Sequence, residues 1–557
     1  MIVTCIIDSL LRLVGRKMSR EQLEDKLFLL KAEVEGFGED TIDIEINPDR
    51  QDMLSTEGVA RALRAFLDID PGLPKFPVRN SCKKIVVKKG LDKIRKYISC
   101  GIVKGVETSD QLIKEYMRLQ EMLTSTHGRN RRKASIGLYV YDDLKFPIYY
   151  ETELPERIEF VPLGHDERMD GPTILQRHEK GVEFGPIISG FQRWPLLVDS
   201  GGKILSLPPI INSNDLGRIS EDTHNIFVEV TGTHLPTVEQ CLNIMTTSLA
   251  ERGGKIESVE VSYPNGPVVQ TPELTPREME VDVEEIRRLL GLDVTYKEIQ
   301  ASLKRMCYGA KVSKGTAKVK VPAFRVDILH PWDIIEDVAI GYGFDNIDPT
   351  LPGTMTVGGV RPMTRLKNKT RELMVGTGFQ EIMSYIMTSP EVLNEKMERT
   401  TPYVGTANPK SRDFSVLRNS LLPVLLDFAG RNQHADYPQK VFEVGDIVLP
   451  DKDAETRTQQ LTSLCALITN TQVDVTELLR ELAFVLRGLG LEGRFKFQSS
   501  IDSCFIDGRA ARILVDKKDV GIVGEVSPTV LTNFEIGSPV VAFEMLLAQE
   551  GTYQKPY

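Results

Sequence analysis

A chain of 557 residues, 41% hydrophobic and 27% charged, has the composition of soluble globular protein and is long enough for roughly three to five domains. No apolar run reaches the ~18 residues needed to cross a bilayer, and a net charge of −10 excludes a protein that simply coats nucleic acid. The seven cysteines are dispersed and none forms a CxxC, which argues against a disulfide frame or a cysteine zinc site and fits reduced thiols in a cytosolic protein. The opening MIVTCIIDSLLRLVGRKMS has no basic region ahead of its apolar run and is broken by Asp8 and Arg12, so it does not read as a signal peptide.

In chain order, IIDSLLRLVG predicts a helix. SREQLEDKLFLLKAEVE predicts a second, with Ser19 as N-cap, and TIDIEI an alternating strand. NPDRQD reads as a turn, LSTEGVARALRAFL as a helix capped by Ser55 or Thr56, and PGLPKFP as a linker. Residues 81–133 are locally basic, with KKIVVKKG and then HGRNRRK; such runs are solvated faces or, less often, contacts to a phosphate backbone. Short strands follow, in KKIVVKK, SIGLYVYD, PLLVDSGGKILSLPPI and NIFVEVTG, with SGGK as a hairpin turn and VEQCLNIMTTSLAERGG as a helix. This middle part reads as α+β and carries no GxGxxG, P-loop or GxSxG. Its polar signals are PPIINSND and EDTHNIF, so Asn212, Ser213, His224 and Asn225 are candidates to line a pocket, although Asn and Ser after a double proline also serve plain turns.

The first unit recurs. RLVGRKMSREQLEDKL aligns with RLLGLDVTYKEIQASL, so that Gly15 matches Gly291, Ser19 matches Thr295 and Leu27 matches Leu303. With a one-residue gap, Arg50 and Asp52 of DRQDML fall on Arg325 and Asp327 of FRVDIL. The second copy adds acids. KVKVPAFRVDI reads as a strand ending near Asp327, and Pro331 opens a helix in which Asp333, Glu336 and Asp337, spaced i, i+3, i+4, share a face opposite Ile334, Ile335, Val338 and Ala339. In the first copy Gly58, Arg61 and Ala62 stand at those three places, so the scaffold alone does not require the acids. Acids in a first helical turn complement the macrodipole; four oxygen ligands without His or Cys also suit Mg²⁺ or Ca²⁺.

Beyond Leu351, PGTMTVGGVRP (352–362) reads as a linker and TRLKNKTRELMVGTG as a helix. QKVFEVGDIVL reads as a strand, and RAARILVDKKDVGIVGEV as two strands around a Lys-Lys-Asp turn. An antiparallel sheet flanked by helices is expected there.

The stretch RVDILHPWDIIEDVAIGYGFDNI resembles the metal-bearing domain of the phenylalanyl–tRNA synthetase beta subunit family, archaeal and eukaryotic type. NPDRQDMLSTEGVARAL, HGRNRRKASIGLYVYD, LLVDSGGKILSLPPIINS, NIFVEVTGT, NPKSRDFSVLRNSLLPVLLDFAGRN and VFEVGDIVL resemble that family in the same order, over nearly the whole chain. The resemblance implies four parts: an amino-terminal helix-strand module (1–72), a tRNA-editing domain of mixed α+β type (73–270), a magnesium-binding duplicate of the first module (271–351), and an inactive domain similar to a class II synthetase (352–557). It implies Mg²⁺ at Asp327, Asp333, Glu336 and Asp337. It further implies an alpha subunit that binds ATP and phenylalanine and performs the ligation, an (αβ)₂ heterotetramer in the cytoplasm, phenylalanine tRNA as partner, no membrane, and hydrolysis of tyrosine mischarged on that tRNA. VFEVGD and GIVGEVSPTVLTNF lack the ATP-binding arginines of class II motifs, which argues against a self-sufficient ligase and leaves Arg418 and Arg431 to pack or to meet the partner. The family's TGTD stands here as TGTH, ending in His234. The alternative is an RNA-binding or assembly scaffold without editing activity.

Overall fold

Caps and glycines set the repeat, and the computed structural model of the chain carries both copies in the same element order. Ile2–Ile6, Thr41–Ile46 and Ala32–Phe37 form one three-stranded sheet in that order; Arg277–Asp282, Thr316–Val321 and Gly309–Ser313 form its counterpart. The first helices, Ile7–Val14 and Val283–Leu290, end on left-handed Gly15 (φ 78°) and Gly291 (φ 68°). The second, Arg20–Leu29 and Tyr296–Arg305, open on reciprocal capping boxes, Ser19 with Gln22 and Thr295 with Glu298. Thr56–Phe66, capped by the Ser55 hydroxyl, corresponds to Pro331–Tyr342. Residues 1–547 are described, apart from 265, 352 and 354–356.

Ile2–Ile6 adds a strand ahead of the expected first helix, and two local expectations need correction. The second helix stops at Leu29 because Lys31 turns left-handed (φ 64°), which frees 32–37 to pair as a strand. The strand before the acids stops at Val321; Pro322–Arg325 is a turn closed by the Arg325 N–H on the Pro322 carbonyl (3.0 Å), so Asp327 stands on a loop.

Gly58, the counterpart of Asp333, shows why the two copies differ. A Cβ there would lie 1.8 Å from the Asp52 carbonyl oxygen, a backbone atom that cannot step aside. Gly58→Ala is therefore expected to cost about 1–3 kcal/mol, although alanine is the better helix former. Both tryptophans, Trp194 and Trp332, lie in the compact unit Met1–Leu351, so the midpoint of urea unfolding followed by tryptophan fluorescence checks it.

Between the copies the described residues build a ten-stranded sheet. Its order is Ile211–Asn212, Ile204–Leu207, Trp194–Val198, Ile148–Glu153, Val78–Val87, Lys255–Ser262, Tyr97–Lys104, Asn225–Gly232 and Ala134–Val140, with Val268–Thr271 on Lys255–Ser262. Only Val78–Val87 runs parallel to its neighbours. The 199–203 turn is the expected hairpin, its Asp199 carboxylate accepting the Gly201 and Lys203 N–H groups. Alternation splits Asn225–Gly232 between two cores: Val228 and Val230 pack with the helix Leu235–Ala250 and the duplicated modules, Phe227 with Tyr139, Tyr150 and Cys100 on the other face.

The described residues of the second unit, Pro352–Tyr557, build a seven-stranded sheet, antiparallel except where Gln380–Glu381 lies parallel to Gln439–Pro450, and a small three-stranded sheet beside it in sequence. Pro362–Gly376 and Val475–Gly488 cover one face, Leu422–Arg431 and Pro528–Asn533 the other, as the sequence led one to expect. Left-handed Asp516 and Lys517 make the tight turn between Phe505–Val515 and Lys518–Val526. Part of the expected linker 352–362 lies outside the described residues. Arg418 packs inside this unit, against Glu443 (2.7 Å), and Arg431 pairs with Asp427 at the surface. Among the described residues no helix is long and apolar enough to cross a membrane.

Candidate functional site

The polar loop PPIINS lies against the sheet, where it meets an acid that strand alternation would not single out. Asn225–Gly232 pairs antiparallel with Ala134–Val140, with Glu229 opposite Gly137. Glycine is needed there: a Cβ would come within 2.6 Å of Glu229 Oε2 and 2.5 Å of Tyr139 Oη. The Glu229 carboxyl fits into that space, 3% exposed. Tyr139 Oη lies 3.1 Å from Glu229 Oε2 and 3.2 Å from Asn212 Oδ1, while Asn212 Nδ2 donates to the Leu138 carbonyl (3.3 Å) and thereby fixes which way the amide points.

One phenolic proton cannot serve two acceptors. The three groups are satisfied together when Glu229 holds a proton, donates it to Tyr139 Oη, and Tyr139 donates to Asn212. Burial supplies the cause, pushing the Glu229 carboxyl up from the usual 4.5 to about 7 and the Tyr139 phenol well above its ordinary range. Nearby Arg95 is fully buried and its guanidinium is drawn down to about 10, again by burial. It donates to Thr231 Oγ1 (2.9 Å), Ser135 Oγ (2.9 Å) and the Arg131 carbonyl (2.9 Å). Three buried oxygens around the cluster remain without a hydrogen-bond partner, Glu229 Oε1, Ser206 Oγ and Ser213 Oγ. Unmade bonds of buried polar atoms are costly, so these oxygens are open to an ordered water or to a polar ligand.

Asn212 and Ser213 thus come to this cluster, and their backbones are held by Leu163 N–H on the Asn212 carbonyl and Ser213 N–H on the Leu205 carbonyl. His224 and Asn225 do not. His224 Nδ1 lies 3.3 Å from Thr108 Oγ1 and from the Val106 carbonyl. Asn225 donates to Asp142 and accepts the Gly105 N–H, four residues (~13 Å) along the strand from Glu229. His234 caps the helix Leu235–Ala250, with Nδ1 2.9 Å from Thr237 Oγ1. Glu229 and Tyr139 were missed because VEV and LYV read as ordinary alternating strands.

The acids of the second copy separate into two pairs. Arg325, fully buried, binds Asp327 through Nε (2.9 Å) and Nη2 (2.7 Å), and Asp337 through Nη2 (2.6 Å). Tyr308 Oη completes Asp337. Burial pushes the Asp337 carboxyl up and the Arg325 charge opposes it. Arg50 and Asp52 repeat the motif in the first copy (2.9 and 3.0 Å). The other two acids lie outside this core: Asp333 accepts the Leu329 and His330 N–H groups (2.7 Å each), and exposed Glu336 meets Lys31 (2.9 Å). The single shared face is therefore corrected: Asp337 is buried with the apolar side, Glu336 faces outward. Among the described residues no three His, Cys, Asp or Glu side chains group to hold a metal ion. As placed, the four acids do not fit one magnesium, because a guanidinium already stands between the two buried carboxylates.

Comparison with known proteins follows the same division. The profile of the tRNA synthetase B5 domain matches residues 279–344, the second copy, and that of the phenylalanyl tRNA synthetase beta chain CLM domain matches 347–547. The chain is 43% identical over 544 residues to the phenylalanine–tRNA ligase beta subunit of Pyrococcus furiosus, covering 96% of this chain and 97% of that one. It is 40% identical over 551 residues to that of Archaeoglobus fulgidus, covering 98% of each. A crystal structure of an N-terminal fragment of the phenylalanyl-tRNA synthetase beta subunit from Pyrococcus horikoshii superposes with a TM-score of 0.60 at 42% identity, covering 61% of this chain and 99% of the fragment.

Proposed function

The chain belongs to the phenylalanine–tRNA ligase beta subunit family, and from that premise we propose that it removes tyrosine wrongly attached to phenylalanine tRNA while a companion alpha subunit performs the ligation. In this reading alpha binds ATP and phenylalanine, and the two chains assemble in the cytoplasm as an (αβ)₂ heterotetramer. The observation that carries the editing reading is the unpartnered Glu229 Oε1 in a buried cluster with Tyr139 and Asn212. A tyrosyl side chain brings a hydroxyl that can pair with it. A phenylalanyl side chain leaves it unpaired, at a cost of about 1–3 kcal/mol.

Hydrolysis needs no side-chain nucleophile. Ser213 Oγ has no hydrogen-bonded base to activate it. Water held beside the ester adds to its carbonyl carbon, the ribose oxygen leaves with a proton, and tyrosine and free tRNA are the products; the protein contributes orientation and exclusion of competing geometries. Mg²⁺ usually takes one or two carboxylates and keeps its waters, so Asp333 and Glu336, the pair away from Arg325, are the acids a magnesium would use.

The test is hydrolysis of preformed tyrosyl-tRNA by the purified alpha-beta complex. Asn212→Ala removes the acceptor that orders Tyr139 and is expected to slow it about tenfold, the worth of one net hydrogen bond. An unchanged rate would take the cluster out of the reaction. A wild-type complex that hydrolyses nothing would leave the scaffold reading.

A further inference from the structure

The basic run HGRNRRK, left open by the sequence, sits on the rim of the Glu229 cluster. It joins the helix Asp110–Ser125 to the strand Ala134–Val140 that carries Gly137 and Tyr139. Three consecutive side-chain-bearing residues are left-handed: Arg129 (φ 52°), Asn130 (51°) and Arg131 (64°). The loop is nonetheless fixed. The Asn130 and Arg131 N–H groups donate to the Ser125 and Thr124 carbonyls, and the Lys133 N–H to the Gly128 carbonyl. Gly128 itself admits no Cβ, which would lie 2.3 Å from the Ala134 carbonyl oxygen.

Two anchors tie this loop to the site. Arg131 is buried, stacks its guanidinium 4.1 Å from the centre of the Phe184 ring, pairs with Glu121 (2.9 Å), and donates to the Pro209 and Ile210 carbonyls (3.1 and 2.8 Å) just ahead of Asn212. On the other side, Thr233, at the end of the Glu229 strand, donates from its N–H to the Lys133 carbonyl (3.0 Å) and from Oγ1 to the Arg132 carbonyl (2.9 Å). Between the anchors stand exposed Arg129 and Arg132 and half-buried Lys133. Among the described residues these three side chains enter no hydrogen bond or ion pair with the protein. Three unpaired cations on a rigid loop, in a chain of net charge −10, are a site for a polyanion.

We infer that Arg129, Arg132 and Lys133 clamp the phosphodiester backbone of the tRNA's single-stranded 3′ end, and so deliver its terminal ester to the Asn212–Glu229 cluster. The inference rests on the hydrolytic reading for its destination, but the clamp itself is a binding property and is measured separately. Duplex RNA is the less suitable occupant, because the cations stand beside a site that must receive a chain terminus, and a stem cannot enter it.

The test compares the alpha-beta complex with its Arg129→Gln/Arg132→Gln double variant. Both residues are exposed, so glutamine leaves the packing unchanged. In hydrolysis of tyrosyl-tRNA the variant is expected to raise KM about tenfold with little change in kcat, while phenylalanine attachment is unaltered. Affinity is measured against salt for intact tRNA and for tRNA lacking its single-stranded 3′ end. The variant's slope of log K against log salt should be shallower by about 1.4 for intact tRNA only, each lost charge counting ~0.7 on a single strand. Unchanged KM together with an unchanged slope overturns the clamp. If the wild type hydrolyses no tyrosyl-tRNA, the salt slopes alone decide: a difference confined to intact tRNA upholds the clamp and removes the hydrolytic reading, and equal slopes remove both.

Discussion

Replacing Arg325 with Met is expected to destabilise the Met1–Leu351 unit by about 3–5 kcal/mol, the cost of leaving buried carboxylates without their counter-charge. Arg325 is 4% exposed and neutralises two acids, Asp327 and Asp337, at 2.7 and 2.6 Å. Arg50 and Asp52, the matching pair of the first copy, are close enough that Arg325 and Asp327 act on the Arg50 charge, so the cluster is also the electrostatic joint between the copies. Arg325→Lys keeps the charge but loses the planar fork that holds Asp327 by two bonds, and should fall between Met and wild type. Adding Asp327→Asn and Asp337→Asn to Arg325→Met should recover part of the loss, since the cost lies in the unpaired charge. Urea unfolding followed by tryptophan fluorescence reads all of these, because Trp194 and Trp332 both lie in this unit. Chelation of divalent ions should leave the gap between wild type and Arg325→Met unchanged, because the two buried acids pair with the guanidinium. A midpoint that drops on chelation, with Arg325→Met near wild type, would return the buried acids to a metal.

How much of this the sequence carried depends on the range of each interaction. The repeat was legible because its signals are local: Gly15 and Gly291 as left-handed caps, and Ser19 and Thr295 three residues before Gln22 and Glu298. The acid cluster was legible as a cluster but not as a structure. Spacing puts Asp333, Glu336 and Asp337 on neighbouring positions of a helix, yet their partners come from elsewhere, Lys31 for Glu336 and Tyr308 and Arg325 for Asp337. Asn212 and Ser213 could be found by turn chemistry, as could His224 and Asn225, and only pairing across the sheet tells the two pairs apart. Glu229 gave no signal at all. An acid in an alternating strand reads as solvent-facing, and what buries it is the absent side chain of Gly137 on the neighbouring strand.

That burial has a measurable cost. The folded chain holds the Glu229 proton up to about pH 7, whereas the unfolded chain releases it near 4.5. Between those values the native state binds more protons than the unfolded one, so this group's contribution to stability is greatest below pH 4.5 and falls as pH rises through 7. The loss amounts to ~3 kcal/mol at pH 8, at 1.36 kcal/mol for each pH unit of difference. Glu229→Gln keeps the shape and can still donate to Tyr139, but it never ionises. The variant is therefore expected to be about 3 kcal/mol more stable than wild type at pH 8 and nearly equal to it at pH 4, with the same urea m-value at both. Comparing the two chains at each pH cancels every other titrating group. Hydrolysis of tyrosyl-tRNA by the variant should lose any inflection near pH 7, because the Tyr139 phenol that remains in the cluster is pushed well above its ordinary range. A fold that gains stability when one buried acid is neutralised has kept that acid for its chemistry. A Glu229→Gln chain no more stable than wild type at pH 8 would mean instead that the carboxylate is fully compensated where it lies, and the unpartnered oxygen would then have no claim on a substrate hydroxyl.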